Sequence, residues 1–133
     1  MIGHVLLDTN VASFILKHDT RAVLYKPSIA DKLWALSFQT VAELEHWAAL
    51  RGWGDRRKAA LTKFVDQMVI FNSDRDLCKI WGNIRAQAKD KGRALDVADA
   101  WIAATALRFS IPLVTHDKSD FQSVAGLAII SVA

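Results

Sequence analysis

The sequence predicts an α/β fold in three layers, with helices on both faces of a central, mainly parallel sheet of about four to five strands. Two observations predict it. Short apolar runs alternate with stretches of helical period along the chain, and strands that alternate with helices build parallel sheets. At 133 residues, 52% of them hydrophobic and 23% charged, the chain is long enough to bury one core. No repeat, low-complexity tract or Pro/Gly-rich linker divides it, so residues 1–133 are read as a single domain.

The first strand is Val5 to Leu7, an interior run that stops at Asp8. Asn10 to His18 follows as a helix with Val11, Phe14 and Ile15 on one face. Around Pro27 the periodicity blurs, as expected where a helix is interrupted. "KLWALSF" (32–38) is the second strand and Thr40 to Leu50 the helix after it. "RGWGD" (51–55) carries two glycines and reads as a turn into an amphipathic helix from about Arg56 to Gln67. "MVIF" (68–71) is the third strand. Ser73, with Asp76 three residues on, is the expected N-cap of a helix that runs to about Lys91 and stops at Gly92. A further helix spans roughly Val97 to Arg108, and "IPLVT" (111–115) and "LAIIS" (127–131) supply the last strands.

Composition narrows the function classes. The N-terminus lacks the basic segment and long apolar run of a secretory signal. No stretch approaches the ~20 apolar residues of a membrane span. The one cysteine, Cys78, has no internal disulfide partner and suits a reducing cytoplasm. It reads as a packing residue of its helix. A net charge of +3 and five tryptophans hint at an anionic partner and a partner surface.

Four acids carry the functional reading. The helix "VADAWIAATALRF" (97–109) has almost no polar face, so it is buried all round. Asp99 sits near its start, where an ionised carboxylate is costly unless paired or metal-bound, although a helix N-terminus offsets part of the cost. A plain helix-start Asp is therefore the competing explanation. Asp8 and Asp117 each follow a strand, and the C-terminal ends of parallel strands form the ligand-binding edge. Glu43, in "TVAELEHW", lies in the first turns of the helix after the second strand, at that same edge. Four acids in apolar company repel one another unless a cation neutralises them. Oxygen-only ligands without a Cys or His cluster select Mg²⁺ or Mn²⁺, which suits metal-dependent nuclease chemistry.

"LLDTN", "AEL", "ADAWIAATAL" and "LVTHDKSDF", in this order over essentially the whole chain, resemble the successive motifs of PIN-domain ribonucleases. In particular they resemble the VapC toxins of toxin–antitoxin modules. The resemblance implies an acidic, catalytic and metal-binding site of Asp8, Glu43, Asp99 and Asp117. It implies that Asn10 and Thr115 orient those carboxylates or bind a water. It implies one or two Mg²⁺ or Mn²⁺ ions and a metal-bound water that attacks an RNA phosphodiester in line. It further implies a cytoplasmic homodimer silenced by a VapB-type antitoxin, which alone reaches operator DNA. Where relatives often carry a small residue about four positions after the Glu of "AEL", this chain has Trp47. A groove lined by that helix and holding the antitoxin would have an altered shape.

Neighbouring residues are weighed against plainer roles. Glu45 points well away from Glu43 on a helix and is solvated. Asp96 reads as a helix cap or a supporting acid rather than a ligand. Asp120 reads as tying down its own turn, and is the substitute for Asp117 should that residue not be a ligand. His4, His18, His46 and His116 share no ligand spacing. Arg51, Arg56, Arg57 and Lys58 around Trp53 fit RNA phosphates and a stacked base, but a solvated turn and helix start is the favoured reading because such charge runs are common. Arg85, mid-helix, reaches either the acidic edge or a structural ion pair. Two other functions compete: a PIN-like module that binds without cleaving, which the four acids argue against, and a haloacid-dehalogenase-type phosphatase, whose second acid is here Asn10.

Overall fold

The first two strands each run straight into a helix whose cap is the residue at the strand end, Asp8 and Ser37. In the computed structural model, which describes residues 2–133, the order is β1 (His4–Leu7), α1 (Thr9–Leu16), α2 (Ala22–Ile29), β2 (Leu33–Ser37), α3 (Phe38–Leu50), α4 (Asp55–Asp66), β3 (Val69–Phe71), α5 (Arg75–Asp90), α6 (Val97–Phe109), β4 (Leu113–Val114), a 3₁₀ turn (Lys118–Phe121) and β5 (Ile129–Ile130). The five strands form one all-parallel sheet in the order β3-β2-β1-β4-β5. Alternate residues of β1 serve opposite faces. Leu6 packs with α5 and α6 residues such as Leu77 and Ile102, whereas Val5 and Leu7 pack with Val11, Tyr25, Leu44 and Leu61 from the first four helices. This is the three-layer sandwich predicted, and no helix among the described residues is long and apolar enough to cross a membrane.

Four local expectations differ from the structure. Where Pro27 predicted an interruption, α2 is continuous. Tyr25 and Ile29, one turn apart and both buried, anchor it, and their burial outweighs the one backbone bond that proline cannot make. The cap of α5 is Asp74, not Ser73: its Oδ1 accepts from the Leu77 backbone N at 2.7 Å. Cys78 is exposed, because the buried stripe of α5 runs through Leu77, Ile84 and Ala88 and leaves the next residue about 100° away. Trp53 is buried, 5% exposed, because the turn after α3 folds back so that its N donates to Ala48 O at 3.0 Å. Its ring is not available for a base to stack on.

Candidate active site

The sheet order makes a switch point. From β1 the chain moves outward to β2 and β3, then returns to lay β4 and β5 on the other side. At the C-terminal ends of β1 and β4 the connections diverge, the place where folds of this plan bind their ligands. Asp8 leaves β1 there, and Thr115 to Asp117 leave β4 beside it.

Asp8 is held by the sheet, by a helix start and by a neighbouring hydroxyl. Its backbone N donates to Val114 O at 2.9 Å, which continues the β1–β4 pairing. As the N-cap of α1, its Oδ1 accepts from Thr9 N at 2.8 Å. Its Oδ2 accepts from the Thr115 hydroxyl at 2.7 Å. The side chain is buried, and burial is the largest influence on its pKa. The Thr115 and Thr9 hydrogen bonds pull the other way, and the charges of Glu43 and Asp117 add to the rise, leaving Asp8 at about 6. Asp8 is at once a helix cap and a member of an acid cluster.

Thr115 and Asn10 tie the second strand end to the first. Thr115 Oγ1 donates to Asp8 and accepts from Asp117 N at 3.1 Å. Asn10 Nδ2 donates to Asp117 Oδ2 at 3.0 Å, while its Oδ1 accepts from Val11 N at 2.7 Å and from His116 N at 3.4 Å. Asp117 itself is exposed. Glu43, half-buried on α3, accepts from Gln39 Nε2 at 3.3 Å. The N-termini of α1 and α3 meet through the Thr9 and Thr40 hydroxyls, 2.9 Å apart.

Asp99 lies in the first turn of α6, half-buried. Its pKa rises to about 7, first from burial and then from the charges of Asp8, Asp120, Asp96 and Glu43. Asp8, Glu43 and Asp99 therefore share one field, with Asp117 acting on Asp8 and Asp120 on Asp99. Asp96 caps α6 through Oδ2, which accepts from Ala98 N at 3.1 Å. Asp96, Asp99 and Asp120 line a cavity of about 350 Å³ with Arg93 on its rim. Among the described residues, no three His, Cys, Asp or Glu side chains gather closely enough to hold an ion by themselves. The donor chemistry nevertheless fits a hydrated Mg²⁺ or Mn²⁺. Such ions keep several waters and take one or two carboxylates plus a substrate phosphate.

The basic residues predicted for RNA lie elsewhere. Arg85 donates through Nε to Leu95 O at 3.2 Å and lies over Trp81, 5.2 Å from its centroid, tying down the α5–α6 connection. Arg51, Arg56, Arg57 and Lys58 are all exposed, at the end of α3 and the start of α4. Tyr25 is a further residue that supports the site. Fully buried on α2, its hydroxyl donates to Thr115 O at 3.2 Å and lies 2.6 Å from His116 Nδ1. His116 packs edge-on against Phe14 and Tyr25, with ring centroids 5.3 and 5.7 Å away. The only signal was an aromatic residue four positions before Ile29, on what looked like a broken helix.

A family model described as "PIN domain" matches residues 5–127. The chain is 34% identical to the VapC ribonuclease Y4jK of Sinorhizobium fredii, over 96% of each chain. It is also 34% identical to toxin FitB of Neisseria gonorrhoeae, over 88% of this chain and 90% of that protein. Among solved structures it resembles VapBC-5 of Mycobacterium tuberculosis, described as a member of the VapBC family of toxin–antitoxin systems. The TM-score there is 0.68, with 26% identity over 98% of both chains.

Proposed function

The chain belongs to the PIN domain family, and we propose that it is a VapC-type endoribonuclease, the toxin of a toxin–antitoxin pair, which uses a divalent metal ion at the acidic end of its sheet. The observation that carries this is the pairing of Asp8 and Asp99. They come from opposite parts of the chain, share one field, and have pKa values of about 6 and about 7. A fold that only needed helix caps has no reason to drive carboxylates together against their repulsion. A cation site explains the arrangement, and all-oxygen donors favour Mg²⁺ or Mn²⁺.

Asp8, Glu43, Asp99 and Asp117 are the residues that would hold the ion. What a bound divalent cation supplies is positive charge for the phosphate oxygens and a lowered pKa for water. The protein's own residues do the rest. Thr115 and the α1 N-terminus fix both oxygens of Asp8. Asn10 fixes Asp117, and Gln39 steadies Glu43. Burial of Asp8 keeps bulk water from loosening that arrangement. In the reaction, a water oxygen forms the new bond to phosphorus and the bridging ribose oxygen leaves.

The likeness to VapC proteins and to a VapBC structure supports a VapB-type antitoxin as partner. DNA contact would come only through that antitoxin. Cleavage of total cellular RNA by antitoxin-free protein, with Mn²⁺ or Mg²⁺ against chelator, tests the reading beside Asp8→Ala. Metal-dependent cuts that vanish in the variant are expected. Intact RNA under every metal, from protein with verified folding, would overturn it.

A further inference from the structure

At the end of α1 and the end of α3, two cations share one aromatic ring. Lys17 Nζ lies 5.6 Å and Arg51 Cζ 5.3 Å from the centroid of Trp47. Beside them Arg57 lies over Trp53 at 4.5 Å, with Arg56 and Lys58 on the same first turns of α4. None of these five cations has an ion-pair partner among the described residues, whose pairs join Arg21 to Asp19 and Arg108 to Asp74 and Asp76. All five are exposed, so a protein of net charge +3 presents a concentrated positive patch here. The patch is linked to the acids. Glu43, Trp47 and Arg51 follow at i, i+4 and i+8 on α3, along one helix face. At 1.5 Å per residue, that face carries Arg51 about 12 Å from Glu43.

We propose that Lys17, Arg51 and Arg57, at the ends of α1 and α3 away from the acids and at the start of α4, bind backbone phosphates of the RNA substrate flanking the scissile one, with Trp47 as the positioning residue that holds two of them in place. The proposal rests on the nuclease reading of the acidic edge. An edge of carboxylates repels a polyanion, so the affinity for RNA must come from cations placed outside it. Contact with a ring face restrains long, flexible side chains while leaving their N–H donors outward. The nearby Leu50, 71% exposed, gives the patch an apolar shoulder, which suits the faces of unpaired bases.

The test measures binding of a fluorescein-labelled, mixed-sequence single-stranded 20-nucleotide RNA to the full chain in chelator, across a salt series. The variants are Lys17→Gln/Arg51→Gln/Arg57→Gln and a control of equal charge change, Lys26→Gln/Lys32→Gln/Lys79→Gln. The first should weaken binding at least 10-fold and lower the log–log salt slope by about 2, at ~0.7 per lost phosphate contact. The control should change binding less than 3-fold. Trp47→Leu should weaken binding, and Trp47→Phe should restore most of it. Equal loss in both triple variants would overturn the proposal, since only net charge would then matter. Displacement of the RNA by polyglutamate as readily as by unlabelled RNA would overturn it too, by marking an acidic-peptide site. Cleavage by the wild type in Mn²⁺ is followed alongside. If the patch triple cuts with unchanged kcat/KM, the proposal fails and the nuclease stands. If RNA binds at the patch but is never cut, the nuclease reading fails and the patch stands.

Discussion

Tyr25 shows how much of a site depends on a side chain that never reaches it. Its hydroxyl is the point where α2 grips the loop after β4, through Thr115 O and His116. Tyr25→Phe keeps the ring and removes that grip. We expect it to cost about 1 kcal/mol of stability. RNA cleavage should slow by roughly 10-fold or more, because Thr115 and Asp117 lose their exact placement. Thermal melting and single-turnover cleavage check the two halves, and unchanged cleavage would show that the grip is only structural. The acids were legible in the sequence because a carboxylate after "VLL" or at the head of "VADAWIAATAL" is out of place on grounds of charge alone. Tyr25 offers no such anomaly. Trp53 misled for the opposite reason, since glycines on both sides suggested an outward turn. Gly52, at φ +59°, instead helps the chain fold back over the indole.

At the level of elements, periodicity located all five strands but lengthened four of them, the last two most. "IPLVT" and "LAIIS" pair only through Leu113–Val114 and Ile129–Ile130. Pro112 cannot donate to the ladder and only accepts, from Leu6 N at 2.9 Å. Helix starts were harder to read, because Ser73 and Asp74 both suit a cap and only backbone geometry chooses between them. The choice can be measured. Asp74→Ala removes the bond to Leu77 N and the contact with Arg108, 3.3 Å away. It should cost about 1 kcal/mol and lower Tm by a few degrees. Ser73→Ala should leave Tm unchanged. Cleavage below the transition should be normal in both, because Arg108 lies at the opposite end of α6 from Asp99. Equal losses would put the cap back at Ser73.

For the whole molecule, the acid cluster sets a pH dependence of unusual sign. Asp8 and Asp99 have folded pKa values of about 6 and about 7, above the ordinary 3.8. The folded state therefore binds protons more tightly than the unfolded chain. That contribution is complete below pH ~4 and is lost as pH rises through 6 to 7. In chelator, unfolding stability should fall between pH 5 and 8 by an amount on the order of 2 kcal/mol, after screening at the half-buried Asp99 is allowed for, and Tm should fall with it. Mg²⁺ should restore more stability at pH 8 than at pH 5, and Asp99→Asn should flatten the chelator profile. Scanning calorimetry across this range would sink the account if the metal-free profile were flat or rising. The α/β plan was legible because strands and helices alternate, whereas the order β3-β2-β1-β4-β5 was not, since no single strand carries a mark of its neighbours. That order brings together residues made at very different times. Asp8 meets Thr115, and Asn10 meets Asp117, each across 107 positions of chain. At roughly 5–20 residues per second on the ribosome, Asp8 waits about 5–20 s for its partner to be synthesised. Through that interval the nascent protein has no assembled acid site, so the proposed nuclease stays unformed on the ribosome until β4 has been made.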